Sequence, residues 1–92
     1  MIQTFKHKGL ERYFKASDKR GLPAHCLARI ERILDVLDVA TVPSDMALPG
    51  LKFHALTGDM AGIYAVTVTG NMRMTFRFEG QHAADVDFVD YH

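Results

Sequence analysis

An eight-residue run near the C-terminal end, Met72-Arg73-Met74-Thr75-Phe76-Arg77-Phe78-Glu79, alternates apolar and polar side chains without interruption. Because successive side chains of a β-strand point to opposite faces, this run predicts a strand with one face buried and the other exposed. The outer face then carries Arg73, Thr75 and Arg77. A one-residue slip would turn every side chain over, so the run also restricts how neighbouring strands pair with it.

Segments on both sides of this strand can pair with it in antiparallel fashion. Gly62 to Val68 precedes it, and an alternating segment ending at Val89 follows it. Three-residue turns at 69–71 and 80–82 make the apolar faces coincide. The predicted inner face pairs Val68 with Met72 and Val66 with Met74, and it includes Ala84, Val86 and Phe88. The predicted outer face sets Arg77 opposite Asp85, Thr75 opposite Asp87 and Arg73 opposite Val89, with Tyr91 one pleat further along.

The N-terminal half has helical periodicity. Leu10, Tyr13 and Phe14 recur at the spacing of an amphipathic helix, and Pro23 suits the first turn of a second helix. The apolar stripe of the second helix comprises Cys26, Leu27, Ile30, Ile33, Leu34 and Leu37. Short strands are predicted at 2–6 and 51–56, and a loop is predicted at 40–50. Residues 1–92 are thus predicted to form one α+β domain, with two N-terminal helices packed on one face of a four- to five-stranded, largely antiparallel sheet.

Composition indicates a small domain that needs no covalent cross-link. The 92 residues include a single cysteine, and no apolar run approaches the roughly 20 residues that span a bilayer. With no signal-peptide pattern at its start, the chain is expected in the cytoplasm. Net charge is zero, but residues 1–33 hold eight Lys/Arg against three Asp/Glu, and residues 34–92 hold three against eight. The basic end is either a docking surface for a polyanion or a set of solvated helix faces.

The final three residues, Asp90-Tyr91-His92, are candidates for chemistry because chain ends seldom carry a polar aromatic residue and a histidine. They continue directly from a strand, at the edge where Arg73 emerges in the predicted register. Cleavage of RNA requires a base for the 2′-hydroxyl, a cation for the phosphorane and an acid for the leaving 5′-oxygen, and it requires no metal or other cofactor. Histidine can act as acid or base, arginine can hold two phosphate oxygens, and a tyrosine ring can stack on a splayed-out base.

Several candidates also have a purely structural interpretation. Arg77 is favoured as a cross-strand ion-pair partner of Asp85, whereas Arg73 has no such partner in the register. His54 shares a predicted strand face with Lys52 and has the character of an ordinary surface histidine. The remaining histidines are predicted to be exposed and without a role; they are His7, His25 and His82.

Other enzyme classes lack a matching motif. His54, Asp90 and His92 could supply two imidazoles and a carboxylate, but their spacing matches no metal motif. The chain has no glycine-rich phosphate loop, no nucleophile elbow and no paired-carboxylate pattern. Nucleotide-cofactor, esterase and glycosidase functions are therefore not supported.

Several segments together carry a family resemblance. They are the opening residues 2–10, Phe14, residues 21–24, Leu56-Thr57-Gly58-Asp59, Gly62, residues 71–76 and the terminal Asp90-Tyr91-His92. With these residues the chain resembles the HigB toxins, the host-inhibition proteins of toxin–antitoxin pairs within the RelE/ParE superfamily. The resemblance covers nearly the whole length.

The resemblance implies a ribosome-dependent mRNA endoribonuclease, an mRNA interferase that cuts the message in the decoding site of the 70S ribosome. Carried over position by position, His54 and His92 are the acid–base candidates and Asp90 orients the tail. Tyr91 contacts the base and Arg73 holds the scissile phosphate. These implied roles agree with the placement of the tail and Arg73 from strand alternation.

One position departs from the family pattern. Members can carry a lysine in the turn where this chain has Thr57, and Lys52 is the candidate RNA-binding cation that could compensate. The resemblance also implies a HigA-like helix-turn-helix antitoxin, through which operator DNA is bound only indirectly, and no membrane partner. Two alternatives remain on the same scaffold. One is a ParE-like inhibitor of DNA gyrase, and the other is a catalytically inactive antitoxin-binding module.

Overall fold

The computed structural model describes residues 1–90, so Tyr91 and His92 lie outside the described residues. Two α-helices, α1 (Lys8–Ala16) and α2 (Leu27–Val39), precede the sheet within this range. The strands are β1 (His54–Ala55), β2 (Tyr64–Thr69), β3 (Met72–Glu79) and β4 (His82–Asp90), and they pair antiparallel in that order. Short 3₁₀ segments cover Ala24–Cys26, Pro43–Met46 and Gly58–Met60. The predicted α+β architecture is confirmed.

The N-terminal segment runs parallel to β4 and covers the edge of the sheet. Ile2 bridges Ala83, and Phe5 bridges Val86. The Lys6 N–H donates to the Val86 carbonyl at 2.8 Å. The strand predicted at 2–6 is therefore reduced to two isolated bridges. These bridges still supply hydrogen-bond partners to part of the β4 backbone on the side away from β3.

Helix α1 begins with a histidine cap and packs closely on the segment that precedes α2. His7 Nδ1 accepts the Leu10 N–H at 3.2 Å, and the His7 ring meets Phe88 edge-on at 5.7 Å. The prediction that His7 is exposed and without a role is wrong, because helix capping uses a side-chain acceptor at this position. A Cβ on Gly9 would lie 2.7 Å from the Gly21 carbonyl oxygen, so only glycine permits this approach. Within residues 1–90, no helix has the length and apolar character that crossing a membrane requires.

The core lies between the apolar stripe of α2 and the inner face of the sheet. Ile30 and Leu37 of α2 are fully buried, as are Met74 and Phe76 of β3. Cys26 is also fully buried, and burial raises the pKa of its thiol. The helical stripe, the inner face of β3 and the core position of Cys26 are confirmed.

The turns that join the central strands are one residue shorter than predicted. Thr69 pairs with Met72 and Glu79 pairs with His82, so the turns consist of Gly70-Asn71 and Gly80-Gln81. The first residue of each turn has a positive φ, 51° at Gly70 and 60° at Gly80, which favours glycine. A register irregularity in each strand pair, between Thr67 and Thr69 and between Thr75 and Arg77, then restores the predicted pairing further along.

This change divides the predicted register into a confirmed part and a wrong part. The confirmed pairs are Val66 with Met74, Thr75 with Asp87 and Arg73 with Val89. The wrong pairs are Val68 with Met72 and Arg77 with Asp85, because Thr69 and Ala84 take those places. Ala84 therefore lies on the outer face, although it is fully buried, and Ala83 belongs to the core cluster. The bulge at Asp85, where φ is 52°, separates the two parts of β4.

Candidate active site

His54 and Arg73 both lie on the outer face of the sheet. His54 pairs with Ala65, Ala65 pairs with Thr75, and Thr75 pairs with Asp87 in one continuous row. Arg73 lies two residues from Thr75 on β3 and thus on the same face. With strands about 4.8 Å apart and a rise of about 3.4 Å per residue, the Cα atoms of His54 and Arg73 are roughly 12 Å apart. Their side chains can therefore approach a common ligand.

His54 is exposed, and a backbone contact sets its tautomer. Its Nδ1 lies 3.0 Å from the Lys52 carbonyl oxygen. Because a carbonyl can only accept, Nδ1 must carry the hydrogen in this bond. The neutral ring then presents the lone pair of Nε2 to solvent, which is the arrangement that a general base requires.

Lys52 lies just before β1 and not within it. The strand predicted at 51–56 is observed only at His54–Ala55, and Lys52 has a φ of 51°. Strand alternation therefore does not extend to Lys52, and the prediction that it shares a strand face with His54 is wrong. The Leu51 carbonyl accepts the Thr67 N–H at 2.7 Å, so this segment still follows the edge of β2. Lys52 is exposed, two residues before His54.

Two carbonyl oxygens of the β2–β3 hairpin hold the guanidinium of Arg73. Its Nη1 donates to Gly70 O at 2.7 Å and to Met72 O at 3.2 Å. These bonds use the two hydrogens of Nη1 and leave the N–H groups of Nε and Nη2, which form the side of the fork that binds two oxygens of a phosphate. None of the four salt bridges within residues 1–90 includes Arg73. The guanidinium is oriented without being neutralised by a carboxylate in that range.

Arg77, on the same strand face, is engaged by two carboxylates. Its Nε donates to Asp85 Oδ2 at 2.6 Å, and its Nη2 donates to Glu79 Oε1 at 3.0 Å. The bond from Arg77 holds the pKa of Asp85 below its usual value, and the same bond raises the pKa of Arg77. The predicted ion pair is confirmed, although it forms across a bulge. Arg77 is therefore a structural cation.

The described part of the C-terminal tail ends at Asp90. This residue is exposed, is the last residue of β4 and pairs with Met72. Alternation thus assigns Asp90 to the face opposite Arg73. The catalytic roles predicted for Tyr91 and His92 concern positions outside the described residues. No group of three or more His, Cys, Asp or Glu within residues 1–90 is arranged to hold a metal ion.

A cleft on the outer face adjoins Thr75 and Val89, which neighbour Arg73 in the sheet. The sequence pattern did not predict this cleft. Its volume is about 230 Å³. It is lined by Lys6, Leu56, Met60, Ile63, Thr75, Phe76, Arg77, Asp85, Asp87 and Val89. The only signal in the sequence is the group of apolar residues within an otherwise turn-like segment at 56–63.

Comparison with known sequences finds toxins of toxin–antitoxin systems. A family model described as the RelE-like toxin of type II toxin–antitoxin system HigB matches residues 3–92. The protein named Endoribonuclease HigB from Proteus vulgaris is 38% identical over 92 residues, which cover 100% of both chains. Toxin HigB-1 from Vibrio cholerae is 32% identical over 81 residues, which cover 85% of this chain and 84% of that protein.

Comparison with solved structures finds the same fold at lower identity. The YoeB dimer from Staphylococcus aureus superposes with a TM-score of 0.58 at 21% identity, covering 99% of this chain and 97% of that one. The YoeB/ParE toxin from Agrobacterium tumefaciens has a TM-score of 0.56 at 18% identity, covering 100% and 99%. The fold is RelE/ParE-like, as predicted.

Proposed function

Because this chain belongs to the HigB-like family of RelE-like toxins from type II toxin–antitoxin systems, we propose that it is an endoribonuclease that cuts mRNA on the translating ribosome. The observation that carries the proposal is the placement of His54 and Arg73 on one face of the sheet. The name of the Proteus vulgaris relative, an endoribonuclease, supports the same activity. A base and a phosphate-binding cation are two of the three groups that metal-independent RNA cleavage needs.

The proposed reaction is an attack by the 2′-oxygen on the adjacent phosphorus. His54 Nε2 removes the proton of the 2′-hydroxyl, and the 2′-oxygen forms a bond to phosphorus. Arg73 donates from Nε and Nη2 to the two non-bridging oxygens, where negative charge accumulates. The bond from phosphorus to the 5′-oxygen breaks, and His92 gives its proton to that oxygen. The products are a 2′,3′-cyclic phosphate and a 5′-hydroxyl, with no other reactant consumed.

The other predicted residues serve binding and orientation in this scheme. Tyr91 stacks on a base next to the cut, and Asp90 orients the tail from the end of β4. Lys52, exposed two residues before His54, contacts the RNA backbone. Each role is a proposal that residue substitution can test.

The partners follow from the family and from the charge distribution. Type II systems pair each toxin with a protein antitoxin, and we propose a HigA-like helix-turn-helix protein that connects this toxin to operator DNA. The excess of Lys/Arg in residues 1–33 would meet ribosomal RNA of the 70S particle in the cytoplasm. Association should then weaken steeply as the salt concentration rises.

Cleavage on programmed ribosomes tests the proposal. Purified 70S ribosomes carrying a defined message are mixed with the protein, and the fragments are mapped at single-nucleotide resolution. We expect a cut within the decoding site and a downstream fragment whose 5′-hydroxyl can be phosphorylated directly. The same message without ribosomes should stay intact. An uncut message on ribosomes, together with inhibition of DNA supercoiling by gyrase in a parallel assay, would instead favour the gyrase inhibitor.

A further inference from the structure

The cleft on the outer face lies directly beside Arg73. Val89 is the ladder partner of Arg73, and Thr75 is the next residue of β3 on the same face; both line the cleft. A phosphate held by Arg73 would therefore place a neighbouring nucleotide at its mouth. The volume of about 230 Å³ lies below the roughly 300–1,000 Å³ of sites for drug-sized ligands, so it suits one flat ring system.

One wall of the cleft is apolar and is held in place by backbone hydrogen bonds. Leu56, Met60 and Ile63 form this wall. The Leu56 N–H donates to Ile63 O at 2.9 Å, and the Ile63 N–H donates to Met60 O at 3.1 Å. Met60 remains 46% exposed, so part of its side chain is accessible to a ligand. A flexible thioether side chain can cover the face of an inserted ring.

The polar edge of the cleft contains two carboxylates with different surroundings. Asp85 already binds Arg77 and the Thr4 hydroxyl. Asp87 uses Oδ1 to accept the Phe88 N–H at 2.9 Å, and it takes part in none of the salt bridges within residues 1–90. The hydrogen bonds of the described residues leave Asp87 Oδ2 available as an acceptor. A carboxylate repels phosphate, and in a cleft that suits one flat ring system the donors within its reach are the N–H groups of a base.

We infer that this cleft binds one nucleobase of the message next to the scissile phosphate, and that Asp87 selects a base with an exocyclic amino group. The inference rests on the proposed nuclease function and adds a specificity determinant to it. The apolar wall packs against the ring while Asp87 Oδ2 accepts from the amino group of adenine, cytosine or guanine. Uracil is disfavoured because two carbonyl oxygens flank its single ring N–H and face the carboxylate.

Substitution of Asp87 by asparagine tests this selection. An amide of the same shape can donate as well as accept, so Asp87→Asn should admit uracil. Ribosomes carrying message pools with all four bases at each position around the cut are treated with each protein, and the fragment ends are sequenced. For the wild type, uracil should be depleted about tenfold at one position beside the cut, as expected for one hydrogen bond to a charged group. Asp87→Asn should lose that depletion.

Asp59→Asn provides a matched control. It makes the same charge change beside Met60, but Asp59 is exposed and does not line the cleft. Its base preference should equal that of the wild type. A wild type that cuts without depleting uracil, or an Asp87→Asn protein that still depletes it, overturns the inference and leaves the nuclease function standing. A wild type that cuts no message contradicts the nuclease function itself.

A binding measurement tests the cleft without cleavage. Methyl signals of Met60, Ile63 and Val89 in the full-length protein are followed by nuclear magnetic resonance during titration with cytidine or uridine 5′-monophosphate. The cytidine nucleotide should shift these signals at concentrations about tenfold lower than the uridine nucleotide, and Asp87→Asn should remove the difference. Cleft methyl signals that do not respond to either nucleotide overturn the inference.

Discussion

Asp85 accepts a 2.6 Å hydrogen bond from Arg77 Nε although the ladder partner of Arg77 is Ala84. The bulge at Asp85 accounts for the difference, because its φ of 52° turns the residue out of the regular alternation. The Asp85 N–H also donates to Thr4 Oγ1 at 2.8 Å. One residue thus anchors an outer-face arginine and the N-terminal segment, and it keeps Arg77 bound to protein groups.

Asp85→Asn is expected to lower Tm at neutral pH, and the difference from the wild type should shrink as the pH falls below about 4. Arg77 lowers the pKa of folded Asp85, so this stabilisation is complete above the unfolded pKa and is lost as the pH falls through the folded pKa. The effect should be small because the Asp85 side chain is 44% exposed. Thermal unfolding followed by circular dichroism from pH 7 to pH 2 measures it. A difference that grows in acid would contradict the role of this ion pair.

Arg73→Ala should reduce single-turnover cleavage on ribosomes about 10²–10³-fold, the range seen when one donor to a developing negative charge is removed. Arg73→Lys keeps the charge but lacks the fork and should recover only part of the rate. Both variants should keep the wild-type circular dichroism spectrum, since within residues 1–90 the guanidinium donates only to carbonyls of its own hairpin. Wild-type cleavage by Arg73→Ala would show that another group holds the phosphate.

His54→Ala should lower the cleavage rate about 10²–10⁴-fold, as expected for loss of a general base. Because His54 is exposed, its removal leaves an accessible space, and added imidazole should restore part of the rate. The rate is measured under single-turnover conditions over a range of imidazole concentrations. His25→Ala, another exposed histidine, is the control and should need no rescue. Full activity of His54→Ala would place the base elsewhere.

Gly9→Ala should destabilise the protein by about 1–3 kcal/mol, because a Cβ there overlaps the Gly21 carbonyl. Helix propensity alone predicts the opposite sign, a gain of about 1 kcal/mol for alanine over glycine. A fall in Tm of at least about 4 °C would correspond to the overlap. Lys8→Ala, at the exposed first residue of the same helix, should leave Tm nearly unchanged. A higher Tm for Gly9→Ala would contradict the close packing.

Thr57→Lys should accelerate cleavage by up to about tenfold if the added cation reaches the RNA backbone. Thr57 is exposed and its side chain makes no capping hydrogen bond, so the substitution should leave the fold intact. Thr57→Gln adds comparable length without charge and should cut at the wild-type rate. The comparison is made by single-turnover cleavage at two salt concentrations, and the gain from lysine should shrink at the higher one. Equal rates for the two variants would indicate that this turn does not meet RNA.

The site was predictable where it depends on strand alternation. The outward position of Arg73 and its pairing with Val89 followed from the pattern of β3, and both are confirmed. The contact that fixes the His54 tautomer was not predictable, because Lys52 leaves the extended conformation and turns its carbonyl toward the ring. The roles of Tyr91 and His92 remain predictions, drawn from the chemistry of their side chains and from the family resemblance.

The periodicity of apolar residues predicted the buried faces of α2 and β3, because burial of an apolar face contributes enough free energy to favour the matching helix or strand period. The turn lengths, the bulge at Asp85 and the cleft beside Val89 became visible only in the folded chain. Those features arise from backbone conformations at single residues and from packing between segments distant along the chain. A pattern of apolar and polar residues is compatible with several such arrangements, and the contacts of the folded chain select one.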